Sequence, residues 1–495
     1  MTTQSLRLLA CALLTTLAAL LAPTTASAAS NQLSLFQDDA ELTQGEGAAP
    51  ADVLNQFDDL GVDILRTNVV YGRVYRTPGD RKKPADFVTE DNTNGHYDWS
   101  ATDNVVNLAK ARGIRVQLTI TGPMPIFGSD RPSKCKGGRS CTYRPNTKEF
   151  ARFAQAAVQR YKGKVDYYSI WNEPNIGKSW LTPRYARAKG VGRYDYAAAK
   201  YRQLYLAGQK VIAKFDPARR NRVLFGEVPS IASPLPFLRA TLCLDSRGRP
   251  FRGRRARAQG CRRPGRIPTL GFAVHPYNQG ALFGPQQRYR TKTSLTIAHM
   301  PRLHRLLNGA YKRKRISSKA RNVYVTEFGF QSKPPDKSFG APSLANQARY
   351  INESDRLFYG DRRVKWVSQY EFTDVRDVAQ FNTGLRMFSG KLKPSYGAYR
   401  MPIVVTKRSI VSVEVYGQVR PGGSSSVAIQ SKASGGAYKT VKTVRTNRNG
   451  FLRVNISARN ASKLRWRLSG VNPETGTPIT SREAKAGKKL RYYKD

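Results

Sequence analysis

Acidic residues, histidine and cysteine are all scarce in this chain. Only 34 Asp and Glu face 84 Lys and Arg, leaving a formal charge of +50. With four His, none close to a cysteine in sequence, and no C-x-x-C spacing, a zinc site finds no support. The five cysteines divide into Cys11, near the N-terminus, and two local pairs, Cys135/Cys141 and Cys243/Cys261. Long apolar runs are missing too. The segment Leu8–Ala22 falls short of the ~20 residues of a membrane span, and no later segment is more apolar. Arg7 before it and Ala26-Ser27-Ala28 after it complete the pattern of a signal peptide over residues 1–28. The chain is therefore expected to be secreted, extracellular and without a transmembrane anchor. In that compartment the four remaining cysteines read as disulfides.

The basic excess raises nucleic acid as a partner. Export argues against it, and no nucleic-acid-binding motif occurs. A polyanionic surface or an anionic cell-envelope glycan fits the charge better. A solvated Arg-rich exterior with no dedicated partner fits it equally well.

From Asn31 to about Arg400, short β-branched and aromatic runs alternate with amphipathic stretches. Strands are expected at 33–37, 62–70, 114–122, 165–174, 222–228, 270–277, 322–330 and 364–372. Helical patterns cover Pro50–Leu60, Trp99–Arg112, Lys148–Tyr161, Tyr194–Phe215 and Leu344–Tyr359, several ending in a Gly stop such as Leu60-Gly61. Runs with few charges suit parallel strands buried on both faces. The pattern predicts the α/β class: a (β/α)8 TIM barrel over residues 29–400, with long βα loops at Pro123–Asn146 and Leu242–Arg266. The second loop holds nine Arg between Arg247 and Arg266.

After Met401 short alternating runs separated by Gly, Ser and Asn predict a small all-β sandwich over 401–495. Asn449-Gly450 reads as a hairpin turn. The tail after Gly470 reads as a last strand followed by a basic, disordered end.

Barrels of this type carry their sites at the C-terminal ends of the strands. There the chain offers Arg66 and Asn68, Asn172 and Glu173, Glu227, His275 and Tyr277, Glu327, and Glu371 and Asp374. Glu173 and Glu327 stand 154 positions apart (327 − 173), three βα units, so both would face one cleft. Paired carboxyl groups across a scissile bond are what glycoside hydrolysis requires.

Four motifs carry a resemblance. Trp171-Asn172-Glu173-Pro174, His275-Pro276-Tyr277, Thr326-Glu327-Phe328-Gly329 and Arg66, in that strand order, resemble glycoside hydrolase clan A, with families 5 and 39 the most similar. The resemblance covers roughly residues 31–400. It implies a retaining glycosidase that cleaves β-O-glycosidic bonds in a polysaccharide. Glu173 would be the acid/base and Glu327 the nucleophile. Asn172 would bond the sugar 2-hydroxyl, Tyr277 and Arg66 would hold Glu327 ionised, and His275 would contact the sugar or Glu173. The chemistry needs no metal or organic cofactor.

The chain departs from the clan in two places. Thr121-Gly122-Pro123 replaces a strand-three His, and Gln369-Tyr370-Glu371-Phe372 replaces a strand-eight Trp, so Tyr370 or Phe372 would floor the subsite beside Glu327. Trp180, Phe127 and Tyr143 lie on loops able to wall the cleft or simply to pack. Arg66 and Tyr277 also have structural readings, as a buried cation and a barrel-layer residue, and Glu227 reads better as a structural hydrogen bond than as a substrate ligand. Two other functions share these residues: a transglycosylase in cell-wall remodelling, and a non-catalytic carbohydrate-binding protein on a barrel scaffold.

Overall fold

The computed structural model describes residues 31–278, 283–338, 340–379 and 381–493. The leader read at 1–28 lies outside the described residues. Among those described, no helix is long and apolar enough to cross a membrane.

Eight parallel strands close into a barrel: β1 (Leu33–Gln37), β2 (Ile64–Val70), β3 (Arg115–Thr121), β4 (Tyr167–Ile170), β5 (Val223–Pro229), β6 (Gly271–His275), β7 (Val323–Val325) and β8 (Val364–Tyr370). They are hydrogen-bonded in sequence order around the ring, and β8 pairs with β1 from Leu33↔Trp366 to Gln37↔Tyr370. Each is followed by a helix: α1 (Pro50–Asp59), α2 (Ser100–Ala111), α3 (Thr147–Tyr161), α4 (Tyr196–Phe215), α5 (Pro234–Thr241), α6 (Met300–Lys312), α7 (Leu344–Tyr359) and α8 (Pro394–Arg400). Side chains alternate in and out along a strand. The outward set (Phe36, Leu65, Tyr168, Phe225, Phe272) packs under the helices in the main core. The inward set forms an apolar floor of Leu35, Ile64, Leu224, Ala273, Tyr324 and Trp366.

One register up, the same parity puts Gln37, Arg66, Ser169, His275 and Thr326 inside the barrel. All five are buried. Polar groups so enclosed must bond one another, and their shared contacts form the base of the site.

The two cysteine pairs are disulfides, Cys135–Cys141 and Cys243–Cys261. The Arg-rich segment 242–266 is not a βα loop. It follows α5, a helix that Pro234 and Pro236 hide from periodicity although proline suits a first helical turn.

The C-terminal region packs two antiparallel sheets on a common core. One contains β9 (Ile403–Ser409), β10 (Ser412–Gln418) and β13 (Phe451–Ser457). The other contains β11 (Ser426–Lys432), β12 (Lys439–Arg445), β14 (Arg465–Val471), β15 (Pro478–Thr480) and β16 (Ala484–Lys485). Ile403, Val413 and Val415 meet Val427, Ile429, Trp466 and Leu468 between the sheets. Asn449-Gly450 does make a tight turn, Gly450 N–H donating to Asn447 O at 2.8 Å with φ +78°. The strands it joins, β12 and β13, lie in different sheets, so it is a crossover corner rather than a hairpin. The tail is also ordered as far as it is described. Beyond Gly487 it crosses to the barrel, where Tyr493 N–H donates to Ala298 O at 2.8 Å.

Candidate active site

The strand ends converge on a knot of charged groups. Arg66, fully buried, donates through Nη1 to Glu327 Oε1 at 2.6 Å and to Gln37 Oε1. Through Nη2 it reaches Asn172 Oδ1 at 2.7 Å and Glu227 Oε2 at 3.3 Å. His275 sits on the opposite side. Its Nε2 lies 2.8 Å from Glu227 Oε2, and its Nδ1 lies 2.9 Å from Glu173 Oε1 and 3.3 Å from Glu327 Oε2. Tyr277 OH donates to Glu327 Oε2 at 3.4 Å. One oxygen each of Glu173 and Glu327 lies within 4.8 Å of the other and of His275.

Backbone irregularity aims these groups. Glu227 has the wrong parity to point inward from β5. A bulge between Gly226 and Val228, with Glu227 at φ +47°, turns it in, where Ser169 and Thr326 hydroxyls also donate to it. Trp171 (φ +65°) and Glu173 (φ +40°) take similarly rare conformations at the end of β4. Asn172 N–H is held by Thr121 Oγ1 at 2.9 Å, so the strand-three threonine positions the Asn-Glu pair. At Gly122 the Trp171 ring leaves no room: a Cβ there would lie 2.6 Å from it.

Exposure separates two layers. The side chains of Arg66, Glu227 and His275 are wholly enclosed, whereas Glu173 and Glu327 keep 15% and 8% of their surface. The carboxylates available to a ligand are therefore Glu173 and Glu327, resting on a closed base.

The electrostatics follow. Burial pushes Glu227 up, but the Arg66 charge and the His275 and Ser169 hydrogen bonds outweigh it and bring the carboxyl down to about 2. Burial pushes His275 down, but Glu327, Glu173 and Glu227 raise it to about 9, so at neutral pH it is an imidazolium donating from both nitrogens. Glu327 is pushed up from the ordinary glutamate value. Burial is the main cause, His275 and Arg66 oppose it, and Glu173 and Glu227 add to it. Arg66 and Tyr277 do bond Glu327 as expected, but they do not offset its burial.

Glu173, His275 and Glu327 are also the geometry of a metal triad. A protonated His275, with Arg66 at 2.6 Å from Glu327, makes the centre a poor cation site.

An aromatic wall adjoins Glu327. Tyr277 stacks on Phe328 at 6.2 Å and meets Phe381 edge-on at 5.1 Å and Tyr370 at 6.4 Å. Phe372 is not part of it. β8 ends at Tyr370, and Glu371 at φ +58° turns the chain, burying Phe372 against Phe36, Phe57 and Tyr396. The strand expected at 364–372 stops at Tyr370, so the two rings do not share a face. Phe127 packs among Tyr71, Tyr75 and Phe87, and Tyr143 packs beside Cys135 and Cys141. Trp180 is half-buried on the loop after β4, and no hydrogen bond or ring contact joins it to the pair among the described residues. Asn68 is bound to Asp39 at 2.7 Å, Asp374 to Lys393 at 2.7 Å, and Glu371 to Thr383 N–H at 2.9 Å, so all three serve local networks.

The sequence reading did not single out Gln37, Ser169 or Phe381 and gave Thr326 no role, whereas Glu227, read as a structural hydrogen bond, lies fully buried and bonded to Arg66, Ser169, His275 and Thr326. A polar residue two places beyond an inward apolar one, as Gln37 is beyond Leu35, was the available signal.

No family model matches the chain, and no curated protein matches it. Solved structures similar to it include a calcium-binding mutant of Bacteroides uniformis β-glucuronidase 2, 11% identical with a TM-score of 0.43, covering 92% of this chain and 45% of that one. The chain thus spans under half that protein's length. A β-glucosidase from Exiguobacterium marinum is 13% identical with a TM-score of 0.43, over 70% and 84% of the two chains. An endo-β-1,4-mannanase from Thermotoga petrophila is 9% identical with a TM-score of 0.40, over 93% and 98%.

Proposed function

We propose that this protein is an exported retaining glycoside hydrolase of the clan A type that cleaves β-O-glycosidic bonds in a polysaccharide. The observation that carries the reading is the pair Glu173 and Glu327, with oxygens within 4.8 Å, sharing one imidazolium and keeping a little solvent access above a fully enclosed base. Such closeness suits double displacement, for which carboxyl groups stand ~5–5.5 Å apart.

Glu327 is the nucleophile. Its carboxylate forms a bond to the anomeric carbon as the bond to the leaving oxygen breaks, and Glu173 gives that oxygen its proton. In the second step Glu173 takes a proton from water, the water oxygen bonds the anomeric carbon, and the ester to Glu327 breaks. Burial raises the basicity of Glu327, while Arg66 and Tyr277 aim its two oxygens. Arg66 holds Asn172 Oδ1, which leaves the amide N–H2 to donate to the sugar 2-hydroxyl. Tyr370, with Tyr277 and Phe381, takes the place of the strand-eight Trp. The two disulfides suit an exported protein.

The deciding experiment is Glu327→Gly assayed against a polysaccharide panel and an aryl β-glycoside. Hydrolysis should vanish, and azide should restore turnover with an α-glycosyl azide as product. Undiminished hydrolysis by that variant would refute the assignment.

A further inference from the structure

A second groove, about 660 Å3 in volume, lies apart from the carboxylate pair. One wall is a short hairpin, Ala186–Ala188 with Gly192–Tyr194, on the connection from β4 to α4 that also carries Glu173. The other is the Arg-rich segment after α5. Four arginines line it: Arg193, Arg239, Arg252 and Arg255. The lining carboxylates are already engaged, Asp195 with Arg184 at 2.9 Å and Asp245 with Arg249 at 3.0 Å. Among the described residues none of the four arginines has an ion-pair partner.

The groove is braced before any ligand arrives. The Cys243–Cys261 disulfide closes the segment, and Cys243, Ala256 and Cys261 form a small core of their own. Arg255 Nη1 donates to Arg193 O at 2.7 Å, and buried Gln259 donates to Asp195 O at 2.8 Å, fastening segment to hairpin. The Arg193 guanidinium lies 3.8 Å from the ring centre of exposed Tyr185. A guanidinium held on an aromatic face keeps its outer N–H edge free for a planar anion and loses little freedom on binding one. Arg239 is half-buried on α5, and burial alone pulls its pKa down. A desolvated cation without a counter-ion is costly, and an incoming carboxylate would offset that cost.

We propose that this groove is an accessory site for an acidic polysaccharide, its arginines taking the carboxylates of uronic acid units and its aromatic side chains the sugar faces. The proposal rests on the glycosidase reading, because that reading makes the polyanion a sugar chain. Arginine forks pair bidentately with carboxylates, and the adjoining Tyr185 and Phe251 give apolar surface to pack on a pyranose. Because the hairpin and Glu173 share one connection, a polymer held here is tethered to the enzyme that cuts it.

The test uses the full chain with oligogalacturonate, a neutral oligosaccharide of equal length and duplex DNA of equal charge as probes, binding measured by calorimetry. Arg239→Ala and Arg252→Ala should each weaken oligogalacturonate binding on the order of tenfold. Lys442→Ala, an exposed charge on β12, should not, and hydrolysis of a small aryl glycoside should be unchanged in all three. Equal weakening by Lys442→Ala would reduce the effect to bulk charge and overturn the proposal, as would DNA binding as tight as oligogalacturonate and lost with the same arginines. Arginine-dependent uronate binding by a protein without glycosidase activity would instead keep the groove and refute the catalytic reading.

Discussion

His275 and Glu227 meet at 2.8 Å inside the barrel, both without solvent exposure, and their contact fixes the charge state beneath Glu173 and Glu327. The histidine is raised to about 9 and the glutamate lowered to about 2. The sign of each shift gives a pH profile. His275 binds its proton more tightly folded than unfolded, so its stabilisation is complete below about 6.5 and lost as pH rises through about 9. Glu227 holds its proton less tightly folded, so its stabilisation is complete above about 4.5 and lost as pH falls through about 2. Both are in force between about 4.5 and 6.5, and because each shift is caused in part by the other group they are one shared contribution. Asp38, raised to about 7 mainly by burial, also holds its proton more tightly folded, so its contribution is lost as pH rises from about 3.8 to 7, across that same window. Denaturant unfolding from pH 3 to 10 should therefore be most resistant at the acidic end of that window and weaken steadily toward pH 10. In Glu227→Gln the His275 pKa, followed by NMR, should fall; an unchanged value would contradict the coupling.

Glu173→Ala tests the other member of the pair. It removes the acid and leaves Glu327 with Arg66 and Tyr277. Hydrolysis of natural linkages should drop by roughly 10²–10⁴. Aryl glycosides whose leaving groups need no proton should keep a fast first step, and azide should yield the β-glycosyl azide. The α-product from this variant would mean that the two roles are exchanged.

The barrel was legible because its strands are short runs with few charges between Gly-stopped helices, a pattern with few other solutions. The carboxylate pair was legible because each sits in a motif at a strand end. Other features depended on torsions that composition does not reveal. The bulge at Gly226/Val228 turns Glu227 inward, and Glu371 at positive φ turns Phe372 outward. Prolines at the start of α5 masked a helix and so misplaced the Arg-rich segment. The turn at Asn449-Gly450 was visible as a reversal, but nothing local says which sheet the chain enters next.

Tyr370 and Phe372, equivalent by sequence, should behave as opposites. Phe372→Ala empties a site in the aromatic core and should cost about 3–5 kcal/mol of stability. Tyr370→Ala removes a half-buried ring beside Tyr277 and Phe381, and should raise KM with a smaller loss of stability. Unfolding and steady-state kinetics on the two variants decide it. A KM effect confined to Phe372→Ala would place the substrate on the other ring.

The C-terminal strap ties the sandwich to the site. Gly487 still pairs with Val405 and Lys407 of β9, after which Leu490 packs against both the barrel core and the Tyr359–Tyr416–Phe451 cluster. Tyr493 N–H then donates to Ala298 O, and its ring stacks on His299 at 5.8 Å. Ile297, next in line, donates to Pro276 O at 2.9 Å, beside His275. Removing residues 488–495 strips half-buried apolar surface worth roughly 2 kcal/mol and frees the segment that backs the histidine. Deletion should lower stability by about that amount, uncouple the unfolding of the two regions and reduce kcat more than it changes KM. Tyr493→Ala should reproduce part of each effect. Full stability and kcat after deletion would mean that the strap is only a surface contact.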